Sequence, residues 1–174
     1  MIIRDLDPND VAEVLSIYAY YVANTSISFE YETPDFESFK LKCFDIKSKY
    51  GFLVGVEKGE IVGYAYANRF RERKAYDFIA ETSIYVKNGQ FNRGLGKQLY
   101  LALFNKMKVK GINELVGVIT LPNDASIDFH KKLGFYEAGI IRNAGLKFDK
   151  LWDIGIWQKS LWLFSKLTFF LEIH

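Results

Sequence analysis

The sequence predicts one domain of the α/β class, in the broad sense that includes α+β, with a mixed central β-sheet and helices on both faces. Two observations lead to this prediction. Of the 174 residues, 49% are hydrophobic and 25% are charged, so the chain can build one sizeable core. Segments with strand and helix patterns follow one another in the order β, α, α, β, β, β, α, β, α, β, β. Such alternation is typical of a sheet that carries helices as separate layers.

The first part of the chain predicts a strand followed by two helices. Residues 2–4 have the composition of a short opening strand. Asp7 followed by Pro8 is a typical helix start, because aspartate caps free N–H groups and proline suits the first helical position. Thr33 followed by Pro34 repeats this signal. We therefore expect helices to begin at both places.

The middle of the chain is rich in predicted strands. The apolar runs 52–56 and 61–67 flank the sequence Glu-Lys-Gly-Glu, which predicts a hairpin turn. Residues 78–86 are rich in β-branched and aromatic side chains and predict a third strand.

The second half predicts two helices and three strands. A helix that ends near Gly111 carries apolar residues at helical spacing, namely Leu99, Leu103 and Met107. An apolar strand over 115–120 follows, and Asn123 opens a further helix. Residues 135–141 and 152–158 predict the last two strands.

Composition excludes several classes of function. One cysteine allows no intrachain disulfide, and two histidines give no Cys/His cluster, so we expect no metal site. The 23 basic and 21 acidic residues are too balanced for nucleic acid to be the main partner. The sequence has no apolar stretch of about 18 residues, so no membrane span is expected. No secretory leader is recognised, so the expected location is the cytoplasm.

The last 14 residues form a separate unit in this interpretation. We assign residues 1–160 to the domain and 161–174 to a tail in which nine residues are apolar. The tail packs on its own domain or on a second copy; an interfacial membrane anchor is the alternative, although Lys166 is its one lysine or arginine. Trp162, Phe164 and Phe169 favour a buried interface, and we predict a homodimer.

Residues 84–97 predict a strand, a glycine-containing loop and a helix. Gly94 and Gly96 let the backbone approach a ligand closely. The first turn of the helix offers free N–H groups and a positive dipole end to a pyrophosphate, and Arg93 and Lys97 add charge. The glycine spacing fits neither the dinucleotide fingerprint nor the P-loop. From spacing alone, a structural loop and a phosphate site remain equally open.

The same segment resembles the acyl-CoA-binding motif R/Q-x-x-G-x-G/A of the GNAT superfamily of N-acetyltransferases. Five further stretches resemble the phosphinothricin N-acetyltransferase branch: 75–86, 118–124, 130–135, 143–147 and 152–158. The resemblance runs from about Ile2 to Leu161. Phe91 departs from it, because it stands where the motif has Arg or Gln. Gln90 and Arg93 are the polar neighbours that can compensate at the pyrophosphate.

The resemblance implies a GNAT-type sheet and acetyl-CoA as co-substrate. Ten residues match positions that contact this co-substrate: Ile84, Tyr85, Val86, Asn92, Arg93, Gly94, Leu95, Gly96, Lys97 and Asn123. The first three act through backbone groups of a strand that splays from its neighbour. The alternative role of Asn123 is to cap the helix that follows it.

Acetyl transfer to an amine requires that the ammonium group, with a pKa of about 10 in a lysine-like amine, first loses a proton. The resemblance implies Glu81 as the general base; a salt-bridged glutamate at a strand edge is the alternative. His130 stands where the superfamily often has tyrosine. It can protonate the leaving thiolate or relay a proton, or it is a satisfied core histidine.

The acceptor pocket is expected at Phe29 and at the segment Tyr76, Asp77, Phe78. Four cationic residues can pair with a carboxylate or phosphinate of the acceptor: Arg71, Arg73, Lys74 and Lys147. For most of the run 71–74, a solvated surface loop is the favoured role. The predicted function is acetylation of a small amino-acid-like amine of the phosphinothricin or methionine sulfoximine type, by direct attack in a ternary complex. The alternatives are a protein or polyamine acceptor and a non-catalytic acyl-CoA sensor.

Overall fold

The computed structural model describes residues 1–91 and 93–162. Seven strands are present in this part of the chain: β1 (Ile2–Asp5), β2 (Gly51–Glu57), β3 (Glu60–Arg69), β4 (Ile79–Val86), β5 (Glu114–Leu121), β6 (Tyr136–Lys147) and β7 (Lys150–Ser160). Four α-helices accompany them: α1 (Val11–Asn24), α2 (Phe36–Lys49), α3 (Leu95–Val109) and α4 (Asp124–Lys132). The predicted order of elements is confirmed.

The start of α2 differs from the prediction at Thr33 and Pro34. The helix begins at Phe36, and Asp35 is its N-cap, with a carboxylate that accepts a hydrogen bond from the Ser38 N–H at 2.9 Å. An aspartate directly before the helix satisfies an N–H of the first turn, so the capping signal two residues upstream is not used.

The strands form one mixed sheet in the order β1-β2-β3-β4-β5-β7-β6, and its two faces carry separate apolar clusters. Successive residues of a strand point to opposite faces, so β2 sends Leu53 to one cluster and Phe52 to the other. Helix α3 packs on the first face together with residues of α4. Helices α1 and α2 pack on the second face. The predicted arrangement of helices on both faces is confirmed.

Strands β4 and β5 separate part-way along their length. They pair in parallel from Ile79↔Glu114 to Thr82↔Gly117, and this pairing ends four residues before the end of each strand. On its other side, β4 stays paired with β3 as far as Gly63↔Val86. A gap therefore opens at the carboxyl ends of the two parallel strands, where α3 and α4 begin.

The end of β7 continues into the core. Leu161 is 7% exposed, and its N–H donates to the Asn113 carbonyl at 2.8 Å, so this first residue of the predicted tail packs with the domain. The rest of the predicted tail from 163 onward, including Phe164 and Phe169, lies outside the described residues. Over residues 1–91 and 93–162, no helix is long and apolar enough to span a membrane. In the same part of the chain, no group of His, Cys, Asp or Glu has the arrangement of a metal site.

Candidate active site

A cavity of about 940 Å³ lies at the gap, between the end of α1, the beginning of α3 and the beginning of α4. Eight of the ten residues predicted to contact acetyl-CoA line it: Ile84, Val86, Arg93, Gly94, Leu95, Gly96, Lys97 and Asn123. Asn92 lies outside the described residues. Tyr85 does not line the cavity, because its side chain belongs to the cluster on the α1/α2 face.

The N-terminus of α3 faces this cavity and has no side-chain cap. Gly94 precedes the helix with φ +75°, a conformation that L side chains rarely adopt. A Cβ at Gly96 would lie 3.2 Å from Cε2 of Phe129 and 3.3 Å from Cδ1 of Ile84, so a larger residue there would force these side chains to shift. The open N–H groups and the positive end of the helix dipole suit a phosphate.

One of the basic residues that line the cavity already interacts with other side chains of the protein. Arg93 forms an ion pair with Glu57, 2.8 Å between Nη2 and Oε2, and a hydrogen bond with Gln90. Lys97 and Lys132 also line the cavity and supply further positive charge. Sequence reasoning missed Lys132, whose only signal was a basic residue in the last turn of α4.

The backbone of β4 offers fewer open groups than predicted. The Lys87 N–H donates to the Val62 carbonyl on β3, and the Phe78 carbonyl accepts from Asn113 beside β5. The direction of the backbone N–H and C=O groups alternates along a strand. In β4, these groups face β5 at even-numbered residues and β3 at odd-numbered residues. The N–H and C=O of Ile84 therefore face the gap. Those of Tyr85 face β3, contrary to the prediction.

Val86 also faces the gap, but its backbone already has a partner. The hydroxyl of Tyr21 donates to the Val86 carbonyl at 2.5 Å and accepts from the Val86 N–H at 3.3 Å. Tyr21 also lines the cavity, at the end of α1. This tyrosine carried no sequence signal beyond its place in a helix, because its partner lies 65 residues away.

Glu81 is half-buried and points from β4 to the α1/α2 face, on the same side as Tyr85. Burial raises the pKa of Glu81. Burial also raises the pKa of Tyr66, and the charge of Glu81 adds to that rise. Within residues 1–91 and 93–162, no ion pair involves Glu81. A desolvated and unpaired carboxylate matches a general base better than a strand-edge salt bridge.

His130 lies on the opposite face, on α4, and is 4% exposed. Its Nδ1 lies 2.8 Å from the Ser126 carbonyl, which only accepts, so Nδ1 carries the proton. Nε2 is then an acceptor, and the Tyr100 hydroxyl lies 3.4 Å from it. Burial lowers the pKa of His130, so the ring is neutral near pH 7. It must therefore gain a proton before it can protonate a thiolate.

A smaller cavity of about 70 Å³ lies next to His130, and Glu81 lines neither this cavity nor the large one. His130, Tyr100 and Thr82 line the smaller cavity, and it shares Ile84 and Asn123 with the large cavity. Sequence reasoning missed Tyr100 and Thr82, which occupy ordinary positions in a helix and a strand. The expected alternative role of Asn123 is also present, since its Oδ1 accepts from the Ser126 N–H at 3.1 Å. Its amide nitrogen remains available as a donor.

The arrangement of an open helix N-terminus beside splayed strands agrees with the comparison to known proteins. Residues 3–156 match the family model described as the acetyltransferase (GNAT) domain.

The chain belongs to the GNAT acetyltransferase family.

Relatives of this GNAT acetyltransferase have similar lengths. The phosphinothricin N-acetyltransferase of Streptomyces viridochromogenes is 33% identical over 158 residues, which are 91% of this chain and 86% of that protein. The L-methionine sulfoximine/L-methionine sulfone acetyltransferase of Pseudomonas aeruginosa is 33% identical over 162 residues, 91% of this chain and 94% of that protein. These similarities confirm the predicted superfamily and branch.

Solved structures agree with the fold. The phosphinothricin acetyltransferase of Sinorhizobium meliloti, solved in complex with acetyl-CoA, matches with a TM-score of 0.88 at 30% identity and covers 91% of this chain and 87% of its own. An acetyltransferase from Salmonella typhimurium, solved with acetyl-CoA, matches with a TM-score of 0.90 at 29% identity, over 94% and 95% of the two chains. The predicted GNAT-type sheet is confirmed.

The acceptor residues predicted for this GNAT enzyme fall in two places. Phe29 lies on the loop between α1 and α2, against Gly145 of β6. Tyr76 packs edge-on against Phe70 at 5.8 Å, and Phe78 is 51% exposed. Phe78 and its neighbours, including Asp77, lie at the beginning of β4, roughly 20 Å along the strand from Ile84. None of the four predicted acceptor residues lines the two cavities.

Lys147 is the clearest departure from the expected acceptor site. Its side chain is buried, and Nζ donates to the carbonyl of Val22 at 2.7 Å and to that of Ser28 at 2.6 Å. The prediction that Lys147 pairs with a carboxylate or phosphinate of the acceptor is therefore wrong. In sequence it looks like any lysine near a hairpin turn, and its partners are 125 and 119 residues away.

Proposed function

We propose that this protein transfers the acetyl group of acetyl-CoA to the amine of a small amino-acid-like acceptor, of the phosphinothricin or methionine sulfoximine type. The observation that carries the proposal is the 940 Å³ cavity at the splay of β4 and β5, which meets the open N-terminus of α3. The names of the relatives support this class of acceptor. Direct attack in a ternary complex, with Glu81 as the general base, is part of the same proposal.

The residues present fit acetyl-CoA. The N–H groups of the first turn of α3, with Lys97 and Lys132, hold the pyrophosphate and phosphate charge. The carbonyl of Ile84 accepts a hydrogen bond from the pantetheine arm in the gap between the strands. Acetyl-CoA supplies an activated thioester, and the protein binds it without a covalent intermediate.

Catalysis needs one base and one route for a second proton. Glu81 takes a proton from the acceptor ammonium, directly or through one water, because its raised pKa brings it closer to that of the amine. The amine nitrogen attacks the thioester carbon, and the Ile84 N–H stabilises the oxyanion. The C–S bond then breaks. Neutral His130 accepts the second proton of the nitrogen at Nε2 and passes it to the thiolate sulfur.

The test is acetyl-CoA-dependent release of free thiol with a panel of amines at neutral and alkaline pH. The panel contains phosphinothricin, methionine sulfoximine, methionine sulfone, a polyamine and a lysine peptide. We expect turnover with the amino-acid analogues that rises with pH as the amine and Glu81 lose protons. Turnover confined to the polyamine or the peptide would refute the proposed acceptor.

Glu81→Gln separates a catalyst from an acyl-CoA sensor. The variant keeps the shape of the side chain and removes the base, so kcat falls by about 100-fold or more while the Kd of acetyl-CoA stays unchanged. Glu37→Gln, at an exposed position on α2, is the control and keeps full activity. A parent protein that binds acetyl-CoA and turns over none of the amines would favour the sensor instead.

We also propose a cytoplasmic homodimer. The edge of the sheet at β6, the turn after it and the start of β7 exposes large apolar side chains: Tyr136, Ile140, Ile141, Leu146, Phe148 and Leu151. Several large exposed apolar side chains along one sheet edge are typical of an interface. Light scattering that shows a monomer at micromolar concentration would refute the dimer, and cell fractionation checks the location.

A further inference from the structure

The loop between α1 and α2, residues 25–35, is held at one end of the sheet by polar contacts. The Thr120 hydroxyl donates to the Ser26 carbonyl at 2.8 Å, and the Tyr31 hydroxyl donates to the Leu146 carbonyl at 2.6 Å. The hydroxyls of Ser28 and Tyr18 lie 2.9 Å apart. These contacts join a loop close to α1 in sequence with strands more than 90 residues away.

Lys147 is at the centre of these contacts. It is 2% exposed, whereas the other residues of β6 are exposed or half-buried. Its ammonium group donates to the carbonyl of Val22 in the last turn of α1 and to that of Ser28 in the loop. The negative end of the α1 dipole favours a cation there.

Burying an ammonium group costs desolvation free energy, a cost that an apolar side chain at the same position would not have. Glu30 is the charged group near it and favours the cation, the ring of Phe148 lies 5.1 Å from Nζ, and burial lowers the pKa of Lys147. Because the buried ammonium group bonds both the end of α1 and the loop, it defines the position of the loop.

The loop reaches the site at Ile27, and Phe29 joins the loop to β6. Ile27 lines both cavities, so the loop contributes to the wall that the two cavities share. Phe29 lies on Gly145, two residues before Lys147, and a Cβ at that glycine would lie 2.6 Å from Cδ2 and from Cζ of the ring. Lys147 and Gly145 therefore hold the loop from the same strand.

We propose that Lys147 is a positioning residue: it fastens the α1–α2 loop, whose Phe29 packs on β6, so that Ile27 keeps its place in the wall of the site, and it does not itself contact the acceptor. The inference rests on the proposed function for the identity of the site. Its structural part, the fastening of the loop, is independent of any substrate.

Lys147→Met keeps most of the side-chain volume and removes all three donors. We expect the KM of the amino-acid acceptor to rise about tenfold or more, because the loop loses two charge-assisted hydrogen bonds, while kcat and the Kd of acetyl-CoA change less than about threefold. Lys147→Arg, which restores charge and donors, should recover most of the loss in KM. Lys150→Met, at an exposed position in the same hairpin, is the control and keeps the parent KM.

Hydrogen exchange tests the loop without a substrate. In Lys147→Met, the amides of Ile27 and Glu30, which donate to the hydroxyls of Thr25 and Ser28, should exchange about tenfold faster, and those of α3 should not change. Gly145→Ala should displace Phe29 and also raise the acceptor KM. Gly139→Ala, on the same strand with no atom within 4 Å of the added carbon, should not.

Unchanged exchange in Lys147→Met would overturn the inference. So would a rise in the acceptor KM that Lys147→Arg fails to reverse, or exchange that rises equally throughout the domain. A parent protein without turnover on any acceptor would refute the proposed function alone, since the exchange experiment still decides whether Lys147 fastens the loop.

Discussion

Gly117→Ala is a direct test of His130, because the added methyl group would meet the acceptor nitrogen of the ring. A Cβ at Gly117 would lie 3.0 Å from Nε2 and 3.2 Å from Cδ2 of His130, whereas ordinary contacts begin at 3.4 Å. The ring must therefore retreat by several tenths of an ångström. It is held on the other side by its Nδ1 hydrogen bond to Ser126, and it packs against the ring of Phe135 at 5.0 Å.

The expected costs follow from this geometry. Overpacking of this kind lowers the free energy of unfolding by about 1–3 kcal/mol. The methyl group also covers the Nε2 lone pair and displaces the ring from Tyr100, so kcat falls about tenfold or more if Nε2 relays the second proton. The Kd of acetyl-CoA stays close to that of the parent, because Gly117 and His130 do not line the large cavity.

The measurements are kcat from thiol release, the Kd of acetyl-CoA by calorimetry, and the free energy of unfolding in urea. Gly139→Ala is the control, since its methyl group meets open space. A Gly117→Ala enzyme with lowered stability and a kcat within twofold of the parent would refute the role of Nε2.

Three further predictions concern other contacts. Tyr21→Phe removes the partner of the Val86 N–H and carbonyl and should lower the free energy of unfolding by about 1–3 kcal/mol in urea, a result that a loss below about 0.5 kcal/mol would contradict. Gly94→Ala forces a side chain into positive φ and should cost about 1–2 kcal/mol in the same assay; an unchanged midpoint would argue against strain at this turn. Burial lowers the pKa of His130 in the folded protein, so as the pH falls the imidazole is protonated in the unfolded chain first. The stabilisation that depends on neutral His130 is therefore complete above about pH 6.5, and it is lost as the pH falls through the lowered pKa. His130→Asn should flatten the slope of unfolding free energy against pH in that window, and an unchanged slope would assign the dependence to another group.

The order of elements was predictable because it depends on local patterns. Apolar residues that repeat every two or every three to four positions indicate strands and helices wherever the partner surfaces are. Helix ends were less predictable, as α2 illustrates: Thr33-Pro34 and Asp35 are competing caps, and the choice depends on which carboxylate or hydroxyl reaches a free N–H in the folded chain.

The candidate site was predictable where the backbone groups that form it lie close together in the sequence. The glycine loop before α3 combines conformational freedom with an open helix N-terminus within a few residues, and most of its residues line the cavity. The direction of the Tyr85 backbone groups was predicted wrongly, because it depends on a strand that is distant in the sequence. Whether its N–H faces a ligand or β3 depends on the register of Tyr64↔Tyr85, which is set by a neighbouring strand.

The sequence alone determined the fold class, the family and the position of the cofactor loop, since each depends on residues close together in the chain. The tertiary structure decided what each polar side chain touches. In the folded protein, the buried Lys147 bonds a loop 119 residues away in sequence. His130 is neutral and has Nε2 as a hydrogen-bond acceptor. The hydroxyl of Tyr21 bonds the backbone of Val86. Hydrogen bonding and desolvation act through space, so these roles exist only once the sheet has brought distant segments together.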